Sequence, residues 1–138
     1  MVKLSPAMED YLKRIYNLSG RSTEKLVHVS ELASQMGVSK ACASRATNTL
    51  SEKGLIQKSK YQGVTLTQEG KKRASTLFRR HNIITRFFSE VLLVDPIIAE
   101  KDACRVEHDI SAESYRSIRQ YLNSNKSGGS NSNPKHSA

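Results

Sequence analysis

Cys104-Arg105-Val106-Glu107-His108 sets a thiol, a carboxylate and an imidazole at i, i+3 and i+4. Residues so spaced share one face of a helix, so a thiolate, a carboxylate oxygen and a neutral ring nitrogen converge on one point. That donor set suits a divalent transition metal. The motif is short, and a small buried thiol beside a surface Glu-His pair would read the same way. His81 adds to it, because it lies on an apolar helical stripe between Leu77 or Phe78 and Ile84, where a polar ring needs a partner. A hydrogen-bonded core histidine would satisfy that position too. Asp10, with Glu9 beside it, is a further candidate ligand, although acids at a helix start also serve as partners of the helix dipole. The sequence holds no H-E-x-x-H, nucleophile elbow or P-loop. The expectation is a binding site and not an enzyme; a small metalloenzyme is the weakest rival.

The elements that must hold these side chains are mostly helices. Ser5 as N-cap and Pro6 at the first helical position open a helix carrying Met8, Tyr11, Leu12, Ile15, Tyr16 and Leu18 at helical spacing. Residues 20–25 are polar and read as a loop. A short helix runs from Val29 to Gly37, and another from the N-cap candidate Ser39 to Gly54. Leu55–Lys58 and Val64–Leu66 read as two strands around the turn Lys60-Tyr61-Gln62-Gly63. Thr67 caps a long helix whose stripe is Ala74, Leu77, Phe78, Ile84, Phe87, Phe88 and Val91. Pro96 opens a helix to about His108, and Ser111 caps one to about Leu122. The expected fold is therefore mainly α with a small β-hairpin wing. A winged helix-turn-helix over 1–70 is followed by an all-helical domain over 71–123, and the polar stretch 124–138 is expected to be disordered.

Residues 29–48 carry the helix-turn-helix pattern. Ala33 is small where two helices cross, Gly37 supplies the turn, and Leu32, Met36, Val38, Ala43 and Ala46 point inward. Lys40, Ala41, Cys42, Ser44, Arg45 and Asn48 then point outward. Ser39 and the free N–H groups of the helix start suit a phosphate. Arg45 is expected to read a guanine, since its fork matches O6 and N7. Lys58, Lys60 and Tyr61 on the wing are expected on the DNA backbone, giving affinity more than specificity.

Charge agrees with this division. The 138-residue chain carries 22 Lys and Arg against 13 Asp and Glu, a formal +9. The excess is +5 over residues 1–66 and +2 over 67–123, which makes the first half the polyanion-facing one. Arg86 and Glu90 interrupt the richest apolar stretch, Ile83–Val94, so no run approaches a membrane span. The N-terminus has no secretory h-region, and two cysteines without a CxxC pair suit a reducing cytosol. The expected setting is cytoplasmic, with no membrane partner.

Several blocks together resemble the diphtheria-toxin-repressor family of metal-dependent repressors. They are Met8-Glu9-Asp10-Tyr11-Leu12-Lys13-Arg14-Ile15-Tyr16, the winged helix-turn-helix, Gly63-Val64-Thr65-Leu66-Thr67-Gln68-Glu69-Gly70, Arg80-His81 and Asp102-Ala103-Cys104-Arg105-Val106-Glu107-His108. The resemblance covers residues 5 to about 122 and matches the short form without an SH3-like domain. It implies an N-terminal DNA-binding domain, a homodimer built by the following helices, and Fe²⁺ or Mn²⁺ that switches on binding to a pseudo-palindromic operator. Co²⁺, Ni²⁺ or Zn²⁺ would be able to substitute. Carried over by position, it makes Asp10, Cys104, Glu107 and His108 the primary ligands and assigns His81, with Glu100, to a second, weaker site.

The resemblance also marks this site as a hybrid. Asp10 is similar to manganese-type members, where iron-type members have methionine; Cys104 is similar to iron-type members, where manganese-type members have glutamate. The thiolate should favour Fe²⁺, Co²⁺ or Zn²⁺ over Mn²⁺ in raw affinity. Lys13 stands in place of a manganese-type acidic ligand, Thr85 in place of an iron-type glutamate and Glu100 in place of a histidine. One tight metal per subunit is the expectation; the plain alternative for Lys13 is a surface pair with Glu9. The rival function is a metal-independent winged-helix regulator with Cys42 or Cys104 as a thiol or small-molecule sensor.

Overall fold

The computed structural model of the chain describes residues 3–61 and 63–127. Helix α1 (Pro6–Leu18) opens as its sequence dictates, with Ser5 Oγ accepting the Met8 N–H at 3.2 Å. It buries Tyr11, Leu12, Ile15 and Tyr16. A two-residue strand, β1 (Val27–His28), leads into α2 (Val29–Met36). Gly37, at φ 69°, ends α2 in the left-handed region that glycine enters without a Cβ penalty. Helix α3 (Lys40–Glu52) then begins at Ser39, whose Oγ accepts the Cys42 N–H at 3.0 Å.

Strands β2 (Ile56–Lys58) and β3 (Gly63–Leu66) form the expected hairpin, with Ile56 opposite Leu66 and Lys58 opposite Val64. The wing is larger than a hairpin, however. β1 pairs antiparallel with β3, Val27 opposite Val64, and the sheet order is β1-β3-β2. Two residues are too few to show a period of two, so this strand is invisible in the pattern and exists because β3 offers it a ladder.

Helix α4 (Gln68–Arg86) follows Thr67, whose hydroxyl donates to the Gly54 carbonyl at 2.7 Å and accepts the Gly70 N–H at 3.0 Å. A Cβ on Gly70 would stand 1.9 Å from the Leu55 carbonyl oxygen, so the start of α4 can approach the end of α3 and β2 only through a glycine.

The chain divides into two compact units between Phe78 and Arg79. The reason lies in α4. Ala74 and Leu77 are buried in the core of the first unit with Leu12, Ile15, Leu32, Leu50 and Val64, and Phe78 packs on it with its ring 5.5 Å from Tyr16. Each fully buried aliphatic side chain stabilises the fold by about 1.5–3 kcal/mol relative to exposure.

In the second unit the long helix does not run unbroken to Val91. At Phe87–Val91 it widens into a π-helical turn, with the Leu92 N–H reaching the Phe87 carbonyl at 3.1 Å. Leu93 then adopts φ 60°. Pro96 and the Asp95 carboxylate, which accepts the Ile97 N–H at 2.9 Å, start α5 (Pro96–Asp109). Ile84, Ala99, Ala103 and Leu122 are buried, and Phe87 meets Tyr121 edge-on at 6.1 Å.

Helix α6 (Ala112–Ser127) starts where Ser111 caps the Ser114 N–H, and it continues past the expected end at Leu122 into the stretch expected to be disordered. Buried Leu122 anchors it, and extending an existing helix needs no new nucleus. Residues 128–138 of that expectation lie outside the described residues. Among the described residues no helix is long and apolar enough to cross a membrane.

Candidate functional site

In the second unit α4 and α5 bring the expected donors together. Glu107 is only 1% exposed, and its two oxygens face two imidazoles. Oε1 lies 2.8 Å from His81 Nδ1, and Oε2 lies 3.8 Å from His108 Nε2. Cys104 Sγ is 3.9 Å from the same His81 nitrogen, and Glu100 Oε2 is 4.0 Å from His81 Nε2. One turn of α5 therefore supplies thiol, carboxylate and imidazole on one face, as the spacing requires, and α4 adds the second ring.

Burying a carboxylate is costly unless charge or hydrogen bonds compensate it. At 2.8 Å the His81 ring is within hydrogen-bonding distance of Glu107, and the Arg80 guanidinium donates to the Glu107 main-chain carbonyl at 3.1 Å while lying over the Tyr115 ring. Two imidazoles, a thiol and a carboxylate within a few ångströms are borderline-soft donors that fit a divalent transition ion. His81 is thus both a candidate ligand and a direct partner of Glu107. That pairing, across 26 positions in sequence, has no local signal. Thr85, one turn beyond His81, has its hydroxyl oxygen buried without a hydrogen-bond partner among the described residues.

Asp10 belongs to the first unit, exposed on α1. It lines a groove of about 480 Å³ with Ala7, Met8, Tyr11, Met36, Val38, Cys42, Arg45, Ala46 and Thr49. Lys13, one turn on, lies with its Nζ 5.7 Å from the centre of the Phe78 ring.

The reading face is a separate construction. Lys40, Ala41 and Ser44 of α3, Val29 of α2, and Lys58, Ser59 and Lys60 of the wing line a cleft of about 540 Å³. Arg45 and Tyr61 are exposed. Ser39 Oγ spends a lone pair on the Cys42 N–H, which leaves its hydroxyl proton for an outside acceptor such as a phosphate oxygen.

Asn48 is exposed, as its outward position predicts, and its Oδ1 accepts the Lys58 ammonium at 2.5 Å, tying α3 to β2. Cys42 is half-buried, its Sγ 3.5 Å from the Tyr11 hydroxyl of α1. The Tyr11 phenol is pushed up to about 12, first by burial and then by its bond to Cys42, with Arg45 acting in the opposite sense.

Comparison with known proteins gives consistent relatives. Residues 3–64 match the family model described as the iron dependent repressor N-terminal DNA binding domain, and residues 67–129 match its metal binding and dimerisation domain. The chain is 33% identical over 114 residues to the transcriptional regulator MntR of Escherichia coli, covering 83% of this chain and 72% of that one. It is 29% identical over 119 residues to an HTH-type transcriptional regulator of Methanocaldococcus jannaschii, covering 86% of this chain and 94% of the other. Among solved structures it is similar to the manganese regulator SloR, with TM-score 0.72 and 32% identity over 87% of this chain. The chain spans 55% of SloR, about half that neighbour's length.

Proposed function

The chain belongs to the iron-dependent repressor family, and from that premise we propose that it is a metal-dependent transcriptional regulator, a repressor of metal-uptake genes active with Fe²⁺ or Mn²⁺. The observation that carries this reading is buried Glu107, its carboxylate set between His81 and His108 beside Cys104. Asp10, Cys104, Glu107 and His108 are the proposed primary ligands. His81 and Glu100 are left for a weaker second position, which agrees with a single tight ion per subunit.

A bound ion supplies divalent positive charge to a cluster of anionic donors. Glu107 and the Cys104 thiolate contribute negative charge from α5, and His108 contributes a neutral nitrogen. Asp10 contributes a carboxylate from α1. Without that charge, the carboxylates and thiolate repel one another or take up protons, and the conformer that needs them close is disfavoured. Operator binding can shift only by the difference in ligand affinity between the two conformers. Exposed Leu92, Leu93, Ile97 and Ile98 support assembly of a homodimer through the second unit. Two α3 helices at a fixed spacing then suit a pseudo-palindromic double-stranded operator. Ser39, Lys40, Ala41, Ser44, Arg45, Lys58, Lys60 and Tyr61 are the proposed contacts, and two cysteines outside any disulfide, Cys42 and Cys104, suit the cytoplasm.

The test is operator binding at fixed salt with EDTA, anaerobic Fe²⁺, Mn²⁺, Co²⁺ and Zn²⁺ in turn. Chelation is expected to weaken binding by about tenfold or more, in the range of ordinary allosteric coupling. Cys104→Glu is expected to move the preference toward Mn²⁺ by replacing a soft donor with a hard one. Equal affinity with EDTA and every metal would refute metal control, and binding that followed thiol oxidation instead would favour a thiol sensor.

A further inference from the structure

Cys42 is an outward-pattern residue that the proposed DNA contacts leave unused. It sits in the first turn of α3, flanked by exposed Lys40 and Ala41, with Arg45 one turn on. Its backbone is fixed, because its N–H is held by the Ser39 cap at 3.0 Å. Its sulfur faces back into the first unit, 3.5 Å from the Tyr11 hydroxyl. Tyr11 is 5% exposed and directly follows Asp10 on α1.

Around the pair, α1 and α3 also present Ala7, Met8 and Ala46 to a shared groove, and apolar groups give attraction without direction. A hydrogen bond has direction and a narrow range of length. A buried phenol hydroxyl also needs a partner, and Cys42 is the one it has on α3. Beside the pair lies the groove of about 480 Å³ that Asp10 and Arg45 also line, which is space for α3 to shift into if the bond is lost.

We propose that Tyr11 and Cys42 form a positioning pair: through their hydrogen bond, the helix carrying Asp10 sets the opening turn of α3, and Cys42 serves DNA reading from behind the face, without touching a base. This rests on Asp10 being a metal ligand, as proposed above. Whatever Asp10 gains by ligation is felt one residue away at Tyr11, and Tyr11 hands it to the turn bearing Ser39, Lys40 and Ala41. Tyr11 and Cys42 are positioning residues in this scheme, not ligands.

The test compares wild type, Tyr11→Phe, Cys42→Ala, the double variant and Cys42→Ser. For each, operator affinity is measured with EDTA and with saturating Co²⁺, Co²⁺ affinity is measured without DNA, and amide exchange is followed in the first turn of α3. Both single variants should cut the activation ratio by about tenfold, and the double variant should be no worse than either single, as expected of two residues acting as one pair. Cys42→Ser keeps a hydrogen-bonding atom and should retain most of the ratio. Co²⁺ affinity should hold in all five, while amides 42–44 exchange faster in the Phe and Ala variants. An unchanged ratio, or additive losses, in variants of a wild type that is metal-activated would overturn the pair alone. A wild type with equal affinity in EDTA and Co²⁺ would overturn the pair together with the metal reading beneath it.

Discussion

Glu107 shows how a single residue acquires its character from its surroundings. On the helical face it is one donor of three, legible from C-x-x-E-H; buried between two rings, it becomes the centre of the cluster. His81 is legible in the sequence as a polar ring on an apolar stripe and a candidate ligand, but its pairing with Glu107 is not, because α4 and α5 meet only in the fold. The same is true of Tyr11, whose partner lies 31 positions away. Its phenol gives a pH prediction with a definite sign. The folded value, about 12, lies above the ordinary 10.0, so the protonated, hydrogen-bonded phenol favours the folded state. That contribution is present in full below about pH 10 and is lost as pH rises toward 12, where the unfolded chain has already given up the proton and the folded one has not. Alkaline titration of tyrosinate absorbance should show one of the five tyrosines ionising near the top of the range. In Tyr11→Phe that late component should be missing; a late component that persisted would place the shifted phenol elsewhere.

Elements were legible where their signals are local. Ser5-Pro6, Ser39, Gly37, Pro96 and Ser111 begin or end helices through atoms a few residues apart, and each does so as its residue type requires. What could not be read depends on a distant partner. β1 needs β3, the division at Phe78 needs Tyr16 to receive that ring, and the π-helical turn at Phe87 accompanies packing on Tyr121. Gly70 belongs to this second class, since nothing near it in sequence demands a glycine. The Leu55 carbonyl demands it, and a backbone atom at 1.9 Å cannot move aside. Gly70→Ala should therefore cost about 3 kcal/mol by forcing α4 off the Leu55 backbone, measured as a fall in the urea midpoint. Gly63→Ala is the internal control. There the three atoms nearest the added Cβ all belong to the Leu26 side chain, at 2.5–2.7 Å, and a side chain can rotate away. The loss should be clearly smaller, and the reverse order would mean that the close approach at Leu55 is not what holds the start of α4.

Across the whole molecule the charge and the apolar surface are segregated. The +5 of residues 1–66 sits with the reading face, while the exposed apolar side chains Leu92, Leu93, Ile97 and Ile98 cluster around the start of α5. A reading head of this size can neutralise only a few phosphates, so one head alone binds weakly and with a shallow dependence on salt. If the proposed homodimer joins two heads through the apolar cluster, the second engagement becomes intramolecular and affinity is multiplied without a new contact. Ile97 is 67% exposed, so Ile97→Glu should leave the fold within about 0.5 kcal/mol of the parent. In a dimer interface the same glutamate would bury an unpaired charge and separate the subunits. Sedimentation should then report a monomer, and operator affinity should fall by about a hundredfold, the scale of a lost second engagement. The slope of log affinity against log salt separates this from misfolding. Half the phosphate contacts should remain, so the slope should halve; a slope of zero would mean the reading face itself was lost, and an unchanged slope would mean the two heads are not joined through Ile97.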